Sequence, residues 1–173
     1  MLYHASQETG LKVLWPHEST HGKCYVYAVR NPLMALLFGA PKDDFDLLMD
    51  EEGGRPVLYE CYPDAFRKIY AGKSCSLYEV ENAGFLAHQT GWEQEWVCES
   101  PVTVMQETKI RDISLIIMEA VSQGECILHS YSDKAAYQDI LREELSERIR
   151  VFGMTAEQMS RDTRFTEYFS WLL

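Results

Sequence analysis

Short apolar runs divided by polar turns occupy most of the chain, and its last third changes character to apolar residues spaced as helices space them. Residues 2–5 predict a first strand. Residues 11–14 form a second short apolar run, stopped by Trp15 and Pro16 and a polar loop through His21, Gly22 and Lys23. A further strand opens at Cys24 and continues through Tyr25, Val26, Tyr27, Ala28 and Val29, residues that suit a pleated surface. Asn31 and Pro32 then fit a helix start, Asn as cap and Pro in the first turn. Leu33, Leu36 and Leu37 follow at helical spacing, and Gly39 closes the segment.

Residues 43–52 carry six acids and end at Gly53 and Gly54. This run predicts a solvated helix or loop, since its acids lack the alternation and central glycine of a calcium loop. Strands resume over 57–62 and 76–80, separated by a turn-rich stretch over 63–73, and 95–105 reads as extended with a bend at Pro101. Apolar residues at 110, 113, 116, 117 and 121 predict an amphipathic helix over 110–121. Residues 126–131 suit a closing strand. Tyr137, Ile140, Leu141, Leu145 and Ile149 mark one helix face, with Ser132 or Asp133 as its cap. Thr155 and Gln158 match a capping box. The apolar cluster over 165–173 predicts a terminal helix docked on its own domain, with Phe165, Tyr168, Phe169 and Leu172 on one face. Without repeats or linkers, the simplest architecture is one α+β domain over 1–173.

Composition narrows the function classes. At 46% hydrophobic and 12% aromatic, the chain has enough apolar surface for a core. A net charge of −11 with 16 scattered basic residues speaks against a nucleic-acid partner, which needs clustered Lys and Arg. The five cysteines are odd in number and widely separated, with no C-x-x-C pair, so neither a zinc ribbon nor a redox dithiol is indicated. His17, His21 and Cys24 have a ligand-like spacing but no evident fourth partner, and no metal is expected. No signal peptide or membrane-length apolar run is present, which predicts a cytoplasmic protein with no membrane partner, monomeric or weakly dimeric. Neither a G-x-S-x-G elbow nor a phosphate-cradling glycine loop occurs.

Three pieces carry the candidate chemistry: Leu2-Tyr3-His4-Ala5-Ser6, Tyr25-Val26-Tyr27-Ala28 and Glu95-Trp96-Val97-Cys98. In this order they resemble the His–Tyr–Glu signature of the ADP-ribosyltransferase superfamily, the class of diphtheria toxin and the poly(ADP-ribose) polymerases. The resemblance covers roughly the first 105 residues and implies an ADP-ribosyltransferase-like split sheet, followed by a helical last third that it does not explain. It also implies a function: NAD+-dependent mono-ADP-ribosyl transfer or NAD+ glycohydrolysis through an oxocarbenium-like transition state.

The resemblance assigns roles residue by residue. His4 bonds a ribose hydroxyl, and the backbone of Ala5 holds the nicotinamide carboxamide. Tyr27 stacks on the nicotinamide, and Phe38, eleven residues on and in the following helix, covers its other face. Glu95 opens a strand resembling the Asn-Glu-Tyr-Ile-Val-Tyr segment of the polymerases and faces the cation. An anion at that place stabilises the transition state more than the ground state, which is what accelerates the step. Arg30 or Lys23 would offset the pyrophosphate charge. Ala5, Ala35 and Phe38 depart from the usual Gly, Ser and Tyr, which keeps open a catalytically inactive module that binds NAD+, ADP-ribose or a protein. Glu93, two residues before Glu95, has the spacing of arginine-modifying transferases, but His4 stands where that class has Arg. Transfer of an RNA 2′-phosphate occurs on the same fold and is disfavoured by the net charge. The acceptor, of which protein is one candidate, lies outside these motifs.

Overall fold

The computed structural model describes residues 1–18 and 23–172. Its first strand, β1, is Leu2–Ser6. Two short strands follow, β2 (Val13–Leu14) and β3 (His17–Glu18), and then β4 (Cys24–Val29). Alternation in β1 and β4 is two-sided: Ala5 and Val29 enter one core, while Leu2, Val26 and Ala28 enter another on the opposite face. Helix α1 (Pro32–Leu36) starts as its sequence predicts, with the Asn31 side chain accepting from the backbone N–H groups of Leu33 at 2.8 Å and Met34 at 3.3 Å. The helix is shorter than its apolar spacing implies, so Leu37, Phe38 and Gly39 form a turn after it.

The acidic run is a correction to the expected solvated helix or loop. Leu47–Glu52 is a strand, β5, in a hairpin with β6 (Arg55–Glu60). Gly53 and Gly54, with φ of 59° and 80°, supply the left-handed turn that such a tight hairpin needs. Leu47 and Leu48 are buried, while the acids at its far end remain at or near the surface. The stretch expected to be turn-rich contains α2 (Ala65–Tyr70), which buries Ala65, Phe66, Ile69 and Tyr70. Its N-terminus lacks a side-chain cap of its own. The buried Glu60 carboxylate instead accepts from the N–H of Phe66 at 3.0 Å and from that of Tyr131 at 3.0 Å.

Strands β7 (Cys75–Val80), β8 (Leu86–Ala87), β9 (Glu95–Cys98), β10 (Val102–Thr103) and β11 (Gln106–Ile110) follow. Ile110 therefore ends a strand, and helix α3 (Ile113–Gln123) begins only after the Asp112 cap. Beyond it lie β12 (Ile127–His129), a 3-10 turn over Tyr131–Ala136, α4 (Gln138–Val151), α5 (Ala156–Arg161) and α6 (Thr163–Glu167). Ser132 and Asp133 do not cap α4: they lie inside the 3-10 turn, which Ser130 caps, and Tyr137 stands at the N-cap of α4 without a side-chain bond. The Thr155 capping box is present. The terminal apolar cluster is not one helix: α6 stops at Glu167, and a 3-10 turn over Ser170–Leu172 follows. Leu173 lies outside the described residues.

The result is an α+β architecture with mainly antiparallel sheets and its helices concentrated toward the C-terminus. The main sheet has the order β11-β7-β1-β4-β9-β8, with β3 also on β4. A three-stranded sheet, β12-β6-β5, contains the parallel pair β12–β6, and β10 pairs with β2. Strands β1 and β7 pair along five positions, whereas β1 and β4 meet in register only at Tyr3 and Val29. Beyond that pair the two strands part. Among the described residues no helix is long and apolar enough to cross a membrane.

Candidate functional site

A cavity of about 270 Å³ opens where β1 and β4 part, lined by Tyr3, His4, Ala5, Tyr27, Ala28, Val29, Ala35, Phe38 and Glu95. Register explains how residues so distant in sequence meet. Tyr3 pairs with Val29, and Val29 pairs with Glu95, so one row across three strands brings the start of β9 to the end of β4. Helix α1 adds Ala35, and the turn after it adds Phe38. His4, Ala5, Tyr27, Phe38 and Glu95 thus share one cavity, and Phe38 reaches it from a turn instead of from the expected helix.

His4 also closes the gap between the parted strands. Its Nδ1 lies 2.8 Å from the carbonyl oxygen of Tyr27. A carbonyl only accepts, so Nδ1 carries the hydrogen in this bond. Burial, the largest influence, lowers the imidazole pKa below its ordinary 6.5; the bond to Tyr27 opposes this and His17 adds to it. The neutral ring therefore keeps a lone pair on Nε2, an acceptor for a ligand hydroxyl.

Among the described residues the cavity walls are otherwise apolar or aromatic, with Glu95 as the acid. Tyr27 meets Tyr25 edge-on at 5.8 Å between ring centroids. Phe38 is 41% exposed, enough to offer ring surface to a ligand. Its ring centroid lies 5.8 Å from that of Trp92, and the Lys42 ammonium sits 4.8 Å from the Phe38 centroid. Sequence reading missed both neighbours. Trp92 carried one available signal, its place three residues before Glu95, where the Glu95 N–H donates to the Trp92 carbonyl at 3.2 Å. Lys42, which immediately precedes the acidic run, carried none.

The other candidates lie elsewhere. Arg30 follows Val29 in the chain and its guanidinium lies 4.5 Å from the centroid of Trp96, in a neighbouring groove with Glu51, Glu93 and Gln94. Arg30 lies just past the end of β4, and Val29 borders both the groove and the cavity. Lys23 forms an exposed ion pair with Glu99 at 3.8 Å. His17 and Glu18 of β3 pair with Tyr25 and Cys24 of β4, and His21 lies outside the described residues. No group of three or more metal-ligating side chains is assembled among the described residues.

The volume lies just below the usual range of ligand sites, about 300–1,000 Å³, and leaves room for a ring-sized group. Comparison of the chain with protein-family models, with curated proteins and with solved structures finds no match.

Proposed function

We propose that this chain is an ADP-ribosyltransferase-like protein with a split sheet, which binds NAD+ and breaks the bond between nicotinamide and its ribose. The observation that carries this reading is the convergence of His4, Tyr27, Phe38 and Glu95 on the cavity where β1 and β4 part. In this mechanism Tyr27 and Phe38 hold the nicotinamide ring and the Ala5 backbone takes its carboxamide. His4 Nε2 accepts from a ribose hydroxyl. As the C1′–N bond breaks, its electron pair goes to the ring nitrogen, leaving neutral nicotinamide and a positive ribose carbon. Glu95 is the fixed anion for that charge. Apolar walls strengthen its effect relative to water. Attack at C1′ by water or an acceptor nucleophile, which then loses its proton, completes the transfer.

Glu95→Gln keeps the shape of the side chain and removes its charge. Nicotinamide release from NAD+ should fall by about 10²–10³-fold, the scale for losing one preorganised electrostatic group, while calorimetry still detects NAD+ binding. Equal release by parent and variant would overturn the catalytic assignment.

A non-catalytic binding module is the second reading. It is favoured by Ala35 in the wall, where a hydroxyl would hold the carboxamide, and by a lining that, among the described residues, has no Lys or Arg. Binding of NAD+ by the parent without nicotinamide release would select it.

A further inference from the structure

We infer that the helical last third sets the position of the cavity's outer aromatic wall, with Arg164 of α6 as the positioning residue acting through residues 42–46. This rests on the proposed reading of the cavity only for its meaning to a ligand; the mechanical link stands on contacts of its own. Arg164 donates to both carboxylate oxygens of Asp43, at 2.8 and 2.6 Å, and to Asp46 at 2.7 Å. Its remaining donors are held by Asp162, at 2.6 and 3.1 Å, which fixes the guanidinium plane. Two-oxygen pairing of this kind specifies orientation as well as charge. The arginine side chain is only 20% exposed and Asp46 is buried, so that pair is not freely solvated, although the Asp43 side chain is 53% exposed.

The segment that Arg164 grips is itself stiff. Asp46 accepts from the Tyr62 hydroxyl at 2.8 Å and from the Asp43 N–H at 2.9 Å, and Asp43 accepts from the Phe45 N–H at 2.8 Å. The Phe45 ring packs on Phe165 at 5.2 Å between centroids, and Arg148 of α4 donates to the carbonyls of Asp44 and Leu47. Lys42 adjoins this clamp and lies over the Phe38 ring, which lines the cavity. A path of direct contacts therefore runs from α6 and α4 through the acidic segment and Lys42 to Phe38. It gives the acidic run and the last third a joint task.

The test places 4-fluorophenylalanine at position 38 of the full chain and reads its fluorine chemical shift, together with a nicotinamide titration. Arg164→Met removes the fork; Asp43→Asn is a milder cut of the same link. Thr155→Ala weakens the cap of α5, also in the last third, without touching residues 42–46. Both link variants should move the fluorine shift and raise the nicotinamide Kd by on the order of tenfold, and the double variant should add little, as for two ends of one contact. Thr155→Ala should leave both readouts at parent values. Unchanged readouts in Arg164→Met and Asp43→Asn, or equal changes in Thr155→Ala, would overturn the inference. If the parent binds no nicotinamide, the proposed function fails, and the fluorine shift alone still decides the link.

Discussion

At the scale of single residues, His4 joins the fold and the candidate chemistry most closely, because one ring nitrogen is committed to the Tyr27 carbonyl while the residue lines the cavity. Its lowered pKa has a definite consequence for stability. Just below pH 6.5 the unfolded chain takes up a proton that the folded, buried imidazole resists. Stability should therefore fall as pH drops below that value, levelling out once the folded state is protonated as well, and this contribution should be absent at higher pH. His4→Asn removes the titration. Denaturant midpoints measured between pH 7.5 and 5 should decline less in the variant than in the parent. Identical declines would show that His4 is not held neutral by the fold. Protonation of the folded ring, which sets in only where that decline levels out, would remove the Nε2 lone pair, so ligand binding should weaken at the lower end of the interval.

At the scale of elements, the turn after α1 decides whether Phe38 reaches the cavity. Gly39 lets that turn lie against β7: a Cβ there would come 2.6 Å from Cys75 Sγ and 2.9 Å from its Cβ. The Tyr70 hydroxyl donates to the Leu37 carbonyl at 2.8 Å and holds the turn from the other side. Gly39→Ala should thus cost about 1–3 kcal/mol, the range for overpacking a filled interior, seen as a lower denaturant midpoint. A variant as stable as the parent would mean that the turn yields freely. Elements whose signals are local were legible in the sequence: β1, β4, the Asn31 cap and the Thr155 capping box each rest on a few adjacent residues. Those that depend on distant partners were not. β5 is a strand because β6 pairs with it, although its acids imply solvent, and α2 has too few turns to display a period. The same division holds at the site. The spacing from Tyr27 to Phe38 could be read directly, but the contacts of Phe38 with Trp92 and Lys42 exist only after folding.

At the scale of the whole molecule, the last third completes a core that the N-terminal strands begin. Ala5 and Val29 on the sheet, Met34 and Leu37 around α1, Ile113 and Ile117 on α3, and Leu145 on α4 belong to one buried cluster with Phe165 and Phe169. The terminal segment is therefore built into the interior, although it is broken into α6 and a 3-10 turn. Phe165 is fully buried between Phe45 and Phe169, at 5.2 and 5.3 Å between ring centroids, whereas Trp171 is 38% exposed. Phe165→Ala should cost about 3–5 kcal/mol through lost burial and the cavity left behind. For a chain of this size that lowers Tm by on the order of 10 °C. Trp171→Ala should shift Tm far less, since most of what it loses is partial burial, one bond from its ring N–H to the Tyr168 carbonyl at 3.0 Å and an edge contact with Phe169. Calorimetric melting of the two variants beside the parent separates a segment anchored in the core from one resting on the surface. Equal small shifts would mean that the last third is an appendage, and Arg164 would then have no rigid base from which to hold the acidic segment.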